Sequence, residues 1–384
     1  MDEFQKLSEK ISDACHEREE IEKKLSHLKK QYQDTWDYEK IRSVVAQEIM
    51  KESIARRAER KAERERQKQL KSEAWNKRKA ENIIFIGKGY SSLLGKKETN
   101  IQKLKENHMP IIETDKELAK FLQIEYNTLR YLVYHRDVIT FDNYYRFDIP
   151  KKSGGTRHIA APKTQLKTAQ RQILEQILQN VEISGQAHGF IKSRSVLTSA
   201  KTHNTSPGLL INIDLENFFP TITFERVRGL YQSFGYSGYI SSLLAMVCTY
   251  CERMPLEIKG EIKYIKTSDR ILPQGSPASP MITNIICRSM DKRINGLCKK
   301  YGITYTRYAD DMSFSYTGDT SNFAIGRFLN SINTIIEAEG FHMKKEKTHI
   351  LRKNNRQYIT GIVINSEEIG VPKKWVKILK ASIH

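Results

Sequence analysis

Residues Tyr305 to Phe314 read Y-T-R-Y-A-D-D-M-S-F, with two aspartates side by side between two short β-like runs. Adjacent like charges repel, by roughly 4 kcal/mol at about 4 Å and an effective dielectric near 20. A solvated turn can tolerate such a pair, because Asp is a common turn residue. Alternatively, a cation sits between the two carboxylates and other groups of the fold complete its shell. The local pattern predicts a hairpin, Tyr305 to Tyr308 pairing with Met312 to Tyr316 and Ala309-Asp310-Asp311 at the bend.

An upstream stretch strengthens the cation reading. Gly208 to Asp214, G-L-L-I-N-I-D, is a short apolar run ending in an acid, the signature of a strand buried on at least one face. The following L-E-N-F-F-P-T-I cannot continue a central strand past Pro220, so Asp214 is expected where a buried strand opens to the surface. If the two strands neighbour each other in one sheet, Asp214 converges on Asp310 or Asp311. Three carboxylates without a compensating cation are strongly unfavourable. Two Mg²⁺ ions would relieve the repulsion and clamp a phosphate between attacking and leaving oxygens. That chemistry is phosphoryl or nucleotidyl transfer, driven by positioning and charge neutralisation.

Three further segments suit it. Ile271 to Pro280, I-L-P-Q-G-S-P-A-S-P, is a Pro- and Gly-shaped loop before a helix, with Ser279 as expected cap and Pro280 in the first turn. Its bland reading is an ordinary helix entry; its sharper one is that Gly275 allows close backbone approach to a ligand and Gln274 meets a base edge. Tyr144 to Pro162 is predicted as a hairpin turning at Ser153-Gly154-Gly155, with Lys151, Lys152 and Arg157 beside the turn. Cations beside backbone amides suit a triphosphate, although a solvated edge has the same composition. In G-F-H-M-K-K-E-K-T, Gly340 to Thr348, one of Lys344, Lys345 or Lys347 is available to a phosphate.

The bulk numbers agree. A net charge of +19 over 384 residues, from 64 Lys and Arg against 45 Asp and Glu, favours a polyanionic partner. With no apolar run of about 18 residues, signal-peptide core or lipidation pattern, the expectation is a soluble, cytoplasmic protein. Five scattered cysteines argue against a disulfide framework. Cys248-x-x-Cys251 invites a zinc reading, but no second such pair accompanies it, and buried thiols are expected.

Phe4, Leu7, Ile11, Ala14, Ile21, Leu25, Leu28 and Tyr32 step in threes and fours, an apolar seam interrupted at Arg18. This coiled coil implies self-association through residues 4–32 or docking on a partner helix. Ala55 to Lys79 continues as a charged helix, either solvated and laced with i,i+4 pairs or lying along a nucleic-acid backbone. Residues 114–135 are predicted helical, capped at Thr114-Asp115, and Thr164 to Val181 as an amphipathic helix.

Taken in order, N-I-D-L-E-N-F-F-P, L-P-Q-G-S-P-A-S-P, Y-A-D-D and G-x-x-x-x-x-x-K-T resemble the palm and fingers of reverse transcriptases. Gly189 to His203, G-F-I-K-S-R-S-V-L-T-S-A-K-T-H, is similar to the A-x-x-H element of bacterial retron reverse transcriptases. Tyr358 to Asn365, Y-I-T-G-I-V-I-N, resembles their V-T-G segment with Ile359 in place of Val. The resemblance covers roughly residues 90–375. It implies an α+β, right-hand polymerase with fingers and N-terminal palm (83–205), catalytic palm (206–365) and a short or truncated thumb (366–384), here preceded by the coiled coil and basic helix read above (1–82). It further implies that Asp214, Asp310 and Asp311, with the Leu215 carbonyl, bind two Mg²⁺. Phe219 would be the steric gate against a ribose 2′-OH. Gln274 and Gly275 would lie against nucleotide and template, Arg157 and Lys151 would hold the triphosphate of a dNTP, and Lys347 would be the general acid for pyrophosphate. Ala200, His203, Thr360 and Gly361 would help recognise a cognate structured non-coding RNA. Retron enzymes prime DNA synthesis from a 2′-OH of that RNA, giving branched msDNA, usually held with an effector in anti-phage defence. The alternatives are another defence-associated or intron-type reverse transcriptase, or an RNA-binding scaffold with incidental polymerisation. Where the family carries a helical thumb beyond the V-T-G segment, the sequence holds V-P-K-K-W-V-K-I-L-K-A-S-I-H, about one helix and the expected start of a thumb, and the N-terminal coiled coil is an addition that would dock an effector, form an oligomer or replace RNA contacts.

Overall fold

The computed structural model describes residues 19–20, 22–24, 26–27, 30, 38–151, 154–203, 206–365 and 368–383. The chain divides into two units, Met1–Asn82 and Ile83–His384. In the first, α1 (Tyr38–Glu81) runs for 44 residues, uninterrupted by Pro or Gly. Described residues between 19 and 30 are helical and lie antiparallel to it, Lys24 pairing with Glu52 at 3.2 Å and Arg56 with Glu20 at 3.3 Å. These side chains are about half exposed, so each pair contributes little. The seam expected over residues 4–32 falls outside the described residues.

The second unit begins with α2 (Ile101–Glu106). One helix is predicted over 114–135; the structure has two, α3 (Asp115–Phe121) and α4 (Tyr126–Leu132). Thr114 and Glu117 close a capping box on α3, and Gln123, at φ +57°, turns the chain between the helices. Leu118, Leu122, Leu129 and Val133 nevertheless all reach the core. Next come β1 (Val138–Ile139), β2 (Tyr144–Pro150) and β3 (Thr156–Pro162), the last two forming the expected hairpin from Tyr144↔Pro162 to Pro150↔Thr156. Helices α5 (Thr164–Gln176) and α6 (Val196–Thr202) precede β4 (Leu209–Asp214). α7 (Phe224–Phe234) packs on α8 (Gly238–Cys248), which is buried along its whole length and correspondingly apolar all round. β5 (Arg253–Ile258) and β6 (Glu261–Lys266) form a hairpin extended by β1. The chain closes with α9 (Ser279–Ile286), α10 (Arg288–Tyr301), β7 (Ile303–Tyr308), β8 (Asp311–Tyr316), α11 (Ile325–Ala338), β9 (His349–Arg352), the short pair β10 (Tyr358–Ile359) and β11 (Ile362–Val363), and α12 (Lys373–Ile383).

The site rests on a four-stranded antiparallel sheet of order β7-β8-β4-β9. Side chains alternate between its faces. Leu209, Ile211 and Ile213 of β4, Met312 and Phe314 of β8, and Ile303 and Tyr305 of β7 face the main core. The opposite face carries Leu210, Asn212 and Asp214 beside Ser315, Ser313 and Asp311, with Thr306 of β7 alongside. Leu210 joins Ala200, Ile359 and Ile364 in a smaller cluster on that side. Both faces are therefore covered, which is why β4 reads as a near-continuous apolar run. Asn212 and Ser313 satisfy each other at 2.8 Å, and Asn212 donates to the Tyr358 carbonyl at 2.9 Å. A polar lane thus runs along this face and ends at the acids.

Candidate active site

Asp214, the last residue of β4, stands directly across from Asp311, the first of β8. Asp311 therefore opens a strand, leaving Ala309 and Asp310 as a two-residue turn in which Ala309 takes φ +56°. The Leu215 N–H donates to the Asp310 carbonyl at 3.1 Å, and the Lys344 N–H donates to the Asp214 carbonyl at 2.8 Å. Backbone bonds from three separate segments thus hold the acids together.

Burial, then the charges of Asp310 and Asp214, push the Asp311 carboxyl up to about 6. Asp310 is raised too, by burial first and by Asp214, against the opposing pull of Arg157 and Lys347. Lys347 Nζ donates to Asp214 Oδ2 at 2.9 Å, and this bond raises the lysine's own pKa. Negative charge is therefore gathered faster than neighbouring cations compensate it. The expected donors, the three carboxylates and the Leu215 carbonyl, would all be oxygen, which would suit Mg²⁺ better than softer metals. Among the described residues no three His, Cys, Asp or Glu side chains form a cage for a metal by themselves. Mg²⁺ does not need one, since it ordinarily keeps waters and takes substrate phosphates into its shell.

Asp214 and Asp310 open into a cleft of about 1090 Å³, with Asp311 behind them across the strand pair. Lys151, Arg157, Lys167, Lys344 and Lys347 bring positive charge to its lining, and Phe219, Phe190, Gln274 and Gly275 shape it. The β2–β3 hairpin is joined to the Gln274 loop by the Ala160 N–H, which donates to the Gln274 carbonyl at 2.8 Å. Gly275 sits at φ +127° with room for no Cβ, which would lie 2.9 Å from the Ala160 carbonyl oxygen. Its close backbone approach is thus to β3, at the cleft wall. Gln170 ties the same loop down, accepting from Ser276 Oγ at 2.7 Å and donating to the Val247 carbonyl at 2.9 Å. Ser279, expected as the cap of α9, is its first helical residue, and its buried hydroxyl caps nothing.

Behind the turn lies a buried ion pair that sequence reading missed. Arg307 Nε and Nη2 donate to Asp291 Oδ1 and Oδ2 of α10, both at 2.8 Å, with neither side chain exposed. Burial disfavours the guanidinium, but Asp291 more than offsets it and the Arg307 pKa is raised. Arg307 Nη1 also donates to the Ala309 carbonyl and to Asn284 Oδ1, each at 3.1 Å, and Tyr305 donates to Asp291 at 2.8 Å. The Ala309–Asp310 turn is thereby fastened to α9 and α10.

A family model described as reverse transcriptase (RNA-dependent DNA polymerase) matches residues 149–364. The retron Mx162 reverse transcriptase of Myxococcus xanthus is 34% identical over 352 residues, covering 87% of this chain and 72% of that protein. The retron Mx65 enzyme of the same organism is 36% identical over 276 residues, covering 72% and 64%. The retron Ec86 reverse transcriptase of Escherichia coli is 33% identical over 288 residues, covering 74% and 82%. The chain belongs to the reverse transcriptase family, in its retron branch. This reverse transcriptase is accordingly an RNA-directed DNA polymerase.

The four residues expected to read RNA are placed differently from one another. Ala200 and His203 are buried and present no surface to a ligand. His203 instead bridges β8 and β7, Nδ1 on Ser315 Oγ at 2.6 Å and Nε2 on Thr306 Oγ1 at 2.8 Å, and burial pushes its pKa down to about 4. In this reverse transcriptase His203 of the A-x-x-H element thus clamps β8 to β7. Thr360 and Gly361, at φ +43° and +90°, form the turn between β10 and β11, with Gly361 exposed. The cysteines at 248, 251, 287 and 298 are free and buried, and burial pushes the thiols of 248, 287 and 298 up to about 12, as befits inert core residues. No helix among the described residues is long and apolar enough to cross a membrane.

Proposed function

We propose that this retron reverse transcriptase copies a cognate structured RNA into branched msDNA by two-metal nucleotidyl transfer at Asp214, Asp310 and Asp311. The observation that carries the reading is that Asp214 and Asp310 line a cleft shared with Arg157, Lys151 and Lys347, while Asp311 stands across from Asp214 in the sheet and burial raises the pKa of both Asp310 and Asp311. Bound Mg²⁺ would supply charge neutralisation and orientation of the reacting phosphate oxygens. The chain's own side chains do the rest. Arg157 and Lys151, on the β2–β3 hairpin, bind the triphosphate, and Lys347 holds a proton beside Asp214, placed to protonate the leaving pyrophosphate. Phe219 crowds a ribose 2′-OH and so selects dNTPs. In this reading residues 83–205 are fingers and adjoining palm, 206–365 the palm, and 366–384 the start of a thumb. The product would serve with an effector protein in anti-phage defence.

The test is to purify the protein from its native operon and analyse the bound nucleic acid with and without RNase and debranching enzyme. A small DNA covalently joined to RNA, absent from the Asp310→Ala/Asp311→Ala variant, is expected. Unbranched or protein-linked DNA would assign another reverse transcriptase class, and bound RNA alone would favour a scaffold.

A further inference from the structure

Phe190 is a bulky aromatic residue at φ +61°, a left-handed conformation that only a few per cent of non-glycine residues adopt. It is also 49% exposed, and it lines the catalytic cleft. Backbone strain of this kind persists where the surroundings over-determine it. Here they do. The Arg307 N–H donates to the Gln186 carbonyl at 2.7 Å and the His188 N–H donates to the Arg307 carbonyl at 2.8 Å, so residues 186–188 run along the outer edge of β7. Gly189 then lies on the catalytic turn so closely that a Cβ would come within 2.7 Å of the Ala309 nitrogen. Its carbonyl accepts from Asn284 Nδ2 at 2.8 Å, on the amide that also receives Arg307. The chain is pinned on both sides up to Gly189, and the left-handed turn at the next residue throws the Phe190 ring into the cleft. There its centroid lies 6.4 Å from that of Phe219 and 6.3 Å from that of Tyr308.

Phe219 is held on its other side by Phe218, centroids 5.6 Å apart, and Phe218 packs in turn on Phe341. A gate that acts by clash discriminates only as well as it resists displacement. Without Phe190 the Phe219 ring has open cleft on that side. We propose that Phe190 is a specificity-determining residue of the polymerase, a positioning wall that backs the Phe219 ring and sets how strongly a ribonucleotide is refused. This rests on the gate role given to Phe219 above.

The experiment measures incorporation of a dNTP and the matching rNTP by the full chain on a primed RNA template, for the wild type, Phe219→Ala, Phe190→Ala, Phe190→Tyr and the Phe190→Ala/Phe219→Ala double variant. Thermal melting confirms that each is folded. An aromatic pair contributes about 0.5–1.5 kcal/mol, so Phe190→Ala should weaken sugar discrimination by about two- to thirteenfold. Phe190→Tyr, which keeps the ring, should discriminate like the wild type. In the double variant the loss should equal that of Phe219→Ala alone, because a wall has nothing left to support. If Phe219→Ala weakens discrimination while Phe190→Ala, folded, leaves it unchanged, the wall is refuted and the gate stands. If Phe219→Ala itself changes nothing, the gate fails first. Fully multiplicative losses in the double variant would also overturn the proposal, since they would make the two rings independent.

Discussion

Replacing Arg307 by Met removes a cation from a site where nothing else can neutralise Asp291. Both side chains are wholly buried and joined by two bonds of 2.8 Å. Breaking such a pair from one side strands a charge and costs about 3–5 kcal/mol. In a unit of this size that lowers the melting temperature by on the order of 10 °C. The companion variant Arg307→Met/Asp291→Leu removes the stranded carboxylate as well. It leaves the Tyr305 hydroxyl without its acceptor, a smaller cost of about 1–3 kcal/mol, so the double variant should melt above the single one. Catalysis should not follow stability. Both variants lose the bond from Arg307 to the Ala309 carbonyl, the tether of the turn that carries Asp310 and Asp311. A displacement of about 1 Å at reacting groups costs about 10²-fold in rate, so primer extension should stay low in both even when they are folded. Differential scanning fluorimetry and single-nucleotide extension at saturating dNTP make the comparison. A double variant that melts below Arg307→Met would refute the stranded-charge account, and one that extends at the wild-type rate would refute the tether.

Asp310→Ala/Asp311→Ala should abolish DNA synthesis while RNA affinity, measured by filter binding, stays within about twofold of wild type because the metal sites add little to a backbone-dominated grip; residual synthesis would remove these acids from the chemistry. The Asp311 carboxyl titrates near 6 in the folded chain, above its ordinary value, so the folded state holds that proton more tightly. Its stabilising contribution is complete below about pH 4 and lost as pH rises through 6. Metal-free wild type should therefore lose stability relative to Asp311→Asn between pH 4 and 7, and Mg²⁺ should raise the wild-type melting temperature more at pH 7.5 than at pH 5; parallel melting curves for the two proteins would contradict this. His203→Ala leaves Ser315 and Thr306 without their imidazole partner and should cost about 2–3 kcal/mol in urea unfolding, with RNA affinity of the folded protein unchanged. Unchanged stability with lost RNA binding would instead assign the residue a direct role in recognition.

The acids were legible from sequence for a physical reason. Strand period, the Pro220 stop and the cost of unpaired carboxylates all constrain Asp214, Asp310 and Asp311 together. The β2–β3 hairpin was legible because Gly154-Gly155 marks its turn between alternating strands. Arg307 was not, because an arginine beside Tyr308 in a polar-looking run carries no sign that its face is the core one, and Asp291 sits in M-D-K-R, which reads as solvated helix surface. The place of His203 in the sheet was not legible either, because only the strand register brings Ser315 and Thr306 within its reach. Phe190 gave no signal, since a left-handed backbone at a non-glycine residue is imposed by neighbours distant in sequence.

The alternation that divides the central sheet into an apolar and a polar face also bears on how the chain finds its fold. Sliding β4 by one residue against β8 would exchange the faces, driving Asn212 and Asp214 among Phe314, Phe328 and Met312 and turning Ile211 and Ile213 towards Ser313 and Asp311. Any such slip buries a carboxylate in hydrocarbon, so misaligned intermediates are penalised most heavily at the sheet end where Asp214 and Asp311 must meet. The residues proposed to perform the chemistry would therefore act earlier as alignment marks, and neutralising them should make the nascent sheet less discriminating about which pairing it accepts.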